Sequence, residues 1–219
     1  MELLTRWWRK APSPTRWVVL DVESSGLDPW HDRLLAIAAI GVRADAAADG
    51  LRLRIDLDDS FEVVIRHEPA GTPDKPNILV HGIGVGAQAA GVPAAEALAA
   101  FERFVGDAPL IGFHAGFDRA LIERASRAAL GRAPRNAWLD VEQVAVASQP
   151  PPAAKSLDEW MARFGIACAA RHQAAADTLA TAELLLALLP AAAKQGVRDF
   201  AGLHKLAAGH RWVREQGSR

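Results

Sequence analysis

The chain is poor in cysteine and has no tyrosine, no excess of positive charge and no long apolar run. The single cysteine, Cys168, excludes a disulfide framework and a cysteine-rich zinc site. Set between alanines, that thiol reads as a core filler. Lys and Arg number 25 against 26 Asp and Glu, for a net charge of −1. Proteins that coat duplex DNA carry a basic excess, because phosphate neutralisation dominates their affinity. A nucleic-acid ligand would therefore have to be held locally, in a short groove. The first ten residues contain no stretch of signal-peptide length. The most apolar run, Leu184 to Ala193, is interrupted by Pro190 and is too short to cross a bilayer. These shortages predict a cytoplasmic protein with no membrane partner.

Half of the 219 residues are hydrophobic, enough for one full core. Residues 1–16 read as a basic, aromatic tail with Trp7 and Trp8, broken off by Pro12 and Pro14; residues 17–192 form the domain, and residues 193–219 a helical extension. Trp17 to Glu23 reads as a buried strand, Ser24 to Asp32 as a loop, and Arg33 to Val42 as a second strand. Asp45 to Gly50 reads as a turn. Leu51 to Leu57, or Phe61 to Arg66, supplies a third strand, the two being possible halves of a hairpin. His67 to Gly91 reads as a long loop of the kind that carries function. A helix begins near Pro93, with Ala97, Leu98, Phe101, Phe104 and Val105 on one face. Short strands follow at Asp107–Phe113 and Ala137–Val141. Helices are expected over Phe117–Leu130, Ser156–Phe164, Ala174–Leu189 and Val197–Arg214, the third with a stripe through Leu179, Ala182, Leu185, Leu186 and Leu189. Strands first, then strands alternating with helices, predict an α/β domain with a mixed sheet of about five strands flanked by helices.

Three clusters carry chemistry. Asp21 and Glu23 stand two residues apart in an apolar strand, so both point to one face. Two buried carboxylates repel each other and need cationic compensation, from Arg, Lys or a divalent metal. Taken alone, such a pair is equally at home in a buried ion pair. Asp118 opens a helix after a strand and a Gly-containing turn, where ligands gather in α/β sheets, although the helix macrodipole also favours an acid there. His114, four residues earlier, either caps the turn or meets a ligand. His172 and Asp177 are five apart, which places the imidazole on a loop and the carboxylate in the first helical turns. Asp140, ending its strand, reads as a supporting residue.

Together these clusters resemble the DEDDh, or DnaQ-like, family of 3′–5′ exonucleases, which takes in the proofreading epsilon subunit of bacterial DNA polymerase III, RNase T and oligoribonuclease. The family's Asp-x-Glu-Thr-Thr-Gly-Leu is matched by Asp21-Val22-Glu23-Ser24-Ser25-Gly26-Leu27. Its His-Asn-x-x-Phe-Asp is matched by Phe113-His114-Ala115-Gly116-Phe117-Asp118, where the His-Asn pair has become Phe113-His114. Its His-x-Ala-x-x-Asp is matched by His172 to Asp177, and its His-Gly-Ile loop by His81-Gly82-Ile83. The resemblance spans about Trp17 to Leu189. It implies a ribonuclease H-like fold and two Mg²⁺ or Mn²⁺ ions held by Asp21, Glu23, Asp118 and Asp177. It further implies His172 as general base, with Ser24, Gly26, Leu27, His81, His114 and Phe117 facing substrate. The implied reaction removes nucleoside 5′-monophosphates from the 3′ ends of single-stranded DNA or RNA. The alternatives are an RNA-specific or short-oligonucleotide nuclease, and a non-catalytic nucleic-acid-binding or polymerase-docking module. Association with a DNA polymerase is the partner the resemblance allows, although Gln195 to Phe200 matches a clamp-binding peptide poorly.

Overall fold

Trp17, Val18, Val19 and Leu20 are all closed to solvent, so β1 (Arg16–Ser24) is buried on both faces. An apolar run without alternation belongs to such a central strand. The computed structural model describes residues 15–47, 50–67, 82–152, 154–168 and 170–217; Trp7, Trp8 and His81 lie outside them. Strand β2 is Leu34–Ala47, β3 Gly50–Val64, β4 Leu110–Gly112 and β5 Trp138–Asp140. They form one five-stranded sheet in the order β3-β2-β1-β4-β5. β1, β2 and β3 pair antiparallel, while β4 and β5 add in parallel. The mixed sheet expected from the order of elements is what forms.

The helices are α1 (Val85–Ala90), α2 (Ala94–Val105), α3 (Ala115–Leu130), α4 (Val141–Ser148), α5 (Leu157–Phe164), α6 (Ala174–Lys194) and α7 (Phe200–Gly217). The alternation of β1 divides the core. Val18, Leu20 and Val22 join Leu98 and Phe101 of α2 and Leu121 and Ile122 of α3. Trp17 and Val19 join α4, α5, α6 and α7 on the other face. Phe200 of α7 meets Trp17 edge-on, 5.3 Å between ring centroids. Asp21 and Glu23 continue the Trp17–Val19 face, so they point toward α6.

Several local expectations need correction. The third strand is one continuous element, and β2 runs on to Ala47, paired with Gly50. The segment between the two strand candidates is a bulge rather than a hairpin turn: Gly41 pairs with Asp56 and Ile40 with Ser60, leaving Leu57, Asp58 and Asp59 over. Asp59 folds back across Gly41 and takes two hydrogen bonds from Arg16, at 2.6 and 2.8 Å. A Cβ on Gly41 would collide with that carboxylate. Helix α1 lies within the expected His67–Gly91 loop, and α4 follows β5 immediately because Asp140 caps it, accepting the Glu142 N–H at 3.0 Å.

Helix α6 continues past Pro190 to Lys194, five residues beyond its expected end. Pro190 is exposed, so the hydrogen bond it removes is lost on the side open to water. Of its expected stripe, Ala182 and Leu185 are buried and Leu179, Leu186 and Leu189 half-buried, while Ala180, Leu184 and Leu188 complete the buried face. Contrary to the expectation that the apolar run is too short, this 21-residue helix is long and apolar enough to cross a bilayer, but it packs as a core helix against β1, β2 and β3.

Replacing Gly41 by Ala should cost about 1–3 kcal/mol through forced displacement of Asp59. Gly209→Ala, in open space on α7, should instead raise stability by up to about 1 kcal/mol. Urea denaturation of both variants checks the pair; an unchanged midpoint for Gly41→Ala would contradict the bulge packing.

Candidate active site

The β1–β4 pairing stops at Val19 opposite Ile111, so β1 projects beyond its neighbour. That overhang carries Asp21, Val22 and Glu23. Asp118 enters from α3, which packs on the opposite face of the sheet, and is buried. Glycine at the end of β4 makes the approach possible: a Cβ on Gly112 would stand 3.2 Å from Asp118 Oδ2. Asp177 sits in the first turn of α6 and is also buried. Three segments remote in sequence thus deliver four carboxylates to one end of the sheet.

Their mutual influence is visible in their acidities. The Asp21 carboxyl is pushed up to about 8, first by burial and then by the charge of Asp177. Glu23 is also raised to about 8, by burial, then Asp21, then Asp177. Asp118 is raised by burial and by Asp21, while the N–H groups of Asp118 itself and of Val22 hold it back. Asp21 is therefore the centre of the group, linked to each of the other three. The opposing cation is Arg171, which lowers both Asp21 and Glu23. Its guanidinium is bonded through Nη1 to Asp177 Oδ1 and, at 2.5 Å, through Nε to Asp158 Oδ1.

The donor set is hard oxygen, the kind that suits Mg²⁺ or Mn²⁺. Glu23 Oε1 is buried with no hydrogen-bond partner, as an acceptor reserved for a cation would be. Among the described residues no three His, Cys, Asp or Glu side chains already stand in ligating geometry, and Asp177 is turned onto Arg171 instead. The residues fit divalent cations by the chemistry of their donors, and ligation would require side-chain adjustment, at Asp177 above all.

The expected substrate residues are arranged around this group. Ser24 Oγ donates to the Gly26 carbonyl at 2.5 Å, and Ser25 Oγ to Asp32 Oδ1 at 2.9 Å. A Cβ on Gly26 would strike the Asp32 carboxylate, so the turn requires glycine. This cross-bracing, with Arg124 of α3 donating to the Pro29 carbonyl at 3.0 Å, holds Leu27 out with 94 % of its surface exposed. Phe117 is half-buried against the α2–α3 core. His114 precedes α3 with φ 58°, a left-handed conformation, and its ring lies 3.4 Å from Glu142 Oε2, which raises its pKa first through that hydrogen bond. It neither caps the helix with its side chain nor joins the carboxylate group directly.

His172 is exposed, on a turn with φ 61°. Its backbone N–H donates to Asp177 Oδ2 at 3.1 Å. The loop-then-helix geometry expected for His172 and Asp177 is present. The ring stands at the lip, close enough to Asp158 to help to lower that carboxyl, after the larger effect of Arg171. Cys168 packs at the core edge with Sγ 3.8 Å from Asp177 Oδ1. Sequence reasoning missed Arg171, Asp158 and Glu142. Position beside His172 was the only signal for Arg171, and nothing local marks the other two.

The family described as Exonuclease (RNase_T) matches residues 18–185. The DNA polymerase III subunit epsilon-like protein of Rhodobacter capsulatus is 32 % identical over 186 residues, covering 84 % of this chain and 25 % of that protein. The PolC-type DNA polymerase III of Bacillus subtilis is 26 % identical over 184 residues, covering 83 % of this chain and 12 % of that protein. The chain thus spans a quarter or less of the length of these curated relatives. Among solved structures, E. coli exonuclease I in complex with a dT13 oligonucleotide superposes with a TM-score of 0.62 at 18 % identity, over 79 % of this chain and 41 % of that one. The zinc-bound complex of the same enzyme with single-stranded DNA gives 0.63 at 18 %, over 80 % and 40 %. Fold, motif order and family match agree: the chain belongs to the exonuclease family, with the ribonuclease H-like fold of DnaQ-like 3′–5′ exonucleases.

Proposed function

We propose that this chain is a DEDDh-type, metal-dependent 3′–5′ exonuclease that releases nucleoside 5′-monophosphates from single-stranded ends, with DNA as the preferred substrate. The observation that carries the reading is the gathering of Glu23, Asp118 and Asp177 around Asp21, crowded enough to raise the acids, with the Arg171 guanidinium opposing them. A binding module gains nothing from holding like charges together. The preference for DNA is supported by the solved exonuclease I complexes, which hold single-stranded DNA. Association with a polymerase is supported by the epsilon-like relative. A cytoplasmic location belongs to the same proposal.

In this reading Asp21, Glu23, Asp118 and Asp177 hold two Mg²⁺ or Mn²⁺ ions. Such ions, when bound, supply charge neutralisation at the scissile phosphate and activation of water. The remaining work falls to the chain. The braced turn from Ser24 to Leu27 presents backbone and an exposed apolar side chain to the terminal nucleotide, while Phe117 and His114 line the α3 side. Contacts of this type tolerate any base. His172, on its turn at the lip, takes the proton of the attacking water at a ring nitrogen. Its strained backbone is held by the N–H donated to Asp177.

Digestion of 3′- and 5′-labelled single strands of DNA and RNA, with Mg²⁺ and with EDTA, tests the proposal. Mononucleotide release from the 3′ end, abolished by EDTA, is expected; release from the 5′ end, or none, would refute it. Asp21→Asn should reduce release to background. His172→Ala should lower the rate by about 10²–10⁴-fold while calorimetric Mn²⁺ binding persists, and a wild-type rate would remove His172 from the mechanism.

The raised carboxyls also fix a pH dependence. A group whose folded pKa lies above its unfolded one stabilises the protein below the unfolded value and loses that contribution as pH rises through the folded one. With Asp21 and Glu23 near about 8, the EDTA-treated protein should melt several degrees lower at pH 9 than at pH 6, at about 2–4 °C per kcal/mol. Mg²⁺ should narrow the gap. Asp21→Asn should raise the melting temperature at pH 9, and a lowered one would contradict the charge crowding.

A further inference from the structure

Both oxygens of Asp177 are engaged by the protein itself. Oδ2 accepts the His172 N–H at 3.1 Å. Oδ1 takes Nη1 of Arg171 and faces the Cys168 thiol at 3.8 Å. The other side of the same guanidinium is anchored on Asp158, through Nε at 2.5 Å and Nη2 at 3.4 Å. The two anchors differ in kind. The Asp177 side chain is 9 % exposed and the Asp158 side chain 58 %. A guanidinium and a hard divalent cation compete for one carboxylate oxygen, and a divalent ion, with its higher charge and six or more oxygen ligands, can draw the inner carboxylates together where the guanidinium bridges only Asp177 to the lip.

We propose that Arg171 is a displaceable stand-in cation. It holds Asp177 while the carboxylate group is free of metal, and it must release Oδ1 for a divalent ion to bind, remaining tethered at the lip by Asp158. The inference rests on reading Asp177 as a cation ligand and extends it to the order of events. Arg171 offsets the crowding of Asp177, Asp21 and Glu23 in the folded chain. In doing so it sets the cation concentration at which the site loads. It also explains why Asp177 lies turned onto Arg171.

Calorimetric titration of Mn²⁺ into the metal-free full chain tests this without reference to turnover. Arg171→Met should bind Mn²⁺ at least about tenfold more tightly than wild type, the scale of a lost charge-assisted hydrogen bond, and should melt lower in EDTA. Arg171→Lys, a point charge that cannot span both carboxylates, should fall between. The gain should survive 0.5 M KCl, because part-buried pairs are weakly screened. On the wild-type protein, saturating Mg²⁺ should shift the nuclear magnetic resonance of the Arg171 Nη1 protons, which face Asp177, a readout that stands if Arg171→Met does not fold. Equal or weaker Mn²⁺ binding by the folded variants, a gain erased by salt, or an unmoved Arg171 signal would overturn the stand-in role. Absence of Mn²⁺ binding in every form would sink the cation-ligand reading as well; binding by the Met variant alone would support the displacement directly.

Discussion

Mutual repulsion among buried carboxylates is the constraint around which this structure is arranged. β1 extends past β4 after Val19, and its overhang holds Asp21 and Glu23 on the face that α6 covers. α3 sends Asp118 around the end of the short strand, over a glycine. α6 begins with Asp177. Each segment could bury an apolar residue there at less cost. Burial and like charge raise three of the four acids, and a fold keeps such crowding for what the charges do.

The rest of the molecule makes that crowding tolerable. The two cores grip β1 from both faces, so the overhang does not fray. Asp59, folded over Gly41 and held by Arg16, pins the edge of the antiparallel half. The loop after β1 is braced by Ser25, Asp32 and Arg124, so Leu27 and its neighbours project from a fixed frame rather than a mobile one. Arg171 bridges α5 and α6 through Asp158 and Asp177, tying the late helices to the acidic end of the sheet.

Much of this was legible in the sequence. An apolar, β-branched run carrying two acids at i and i+2 reads as a buried strand with a polar end, and the two later motifs fell at junctions where a sheet gathers ligands. What sequence could not show depends on long-range closure. The Leu57–Asp59 bulge looks like a strand break until Gly41 stands opposite it. Helix α4 hides because Asp140 ends a strand and caps a helix at once. Arg171 has meaning only when the turn before α6 brings it between two carboxylates from different helices. The buried face of α6 was only partly legible, Ala182 and Leu185 but not Leu184 and Leu188, because nearly every side chain in that stretch is apolar, which leaves periodicity little to read. His81, Trp7 and Trp8 lie outside the described residues.

The account stands or falls on whether the acidic end of the sheet is a cation site. Crystals soaked in Mn²⁺ and measured at the manganese edge would decide it. Anomalous density among Asp21, Glu23 and Asp177, with Arg171 drawn off Asp177, is the predicted result. Manganese density elsewhere on the molecule, with Arg171 still bonded to Asp177 at saturating Mn²⁺, would contradict it.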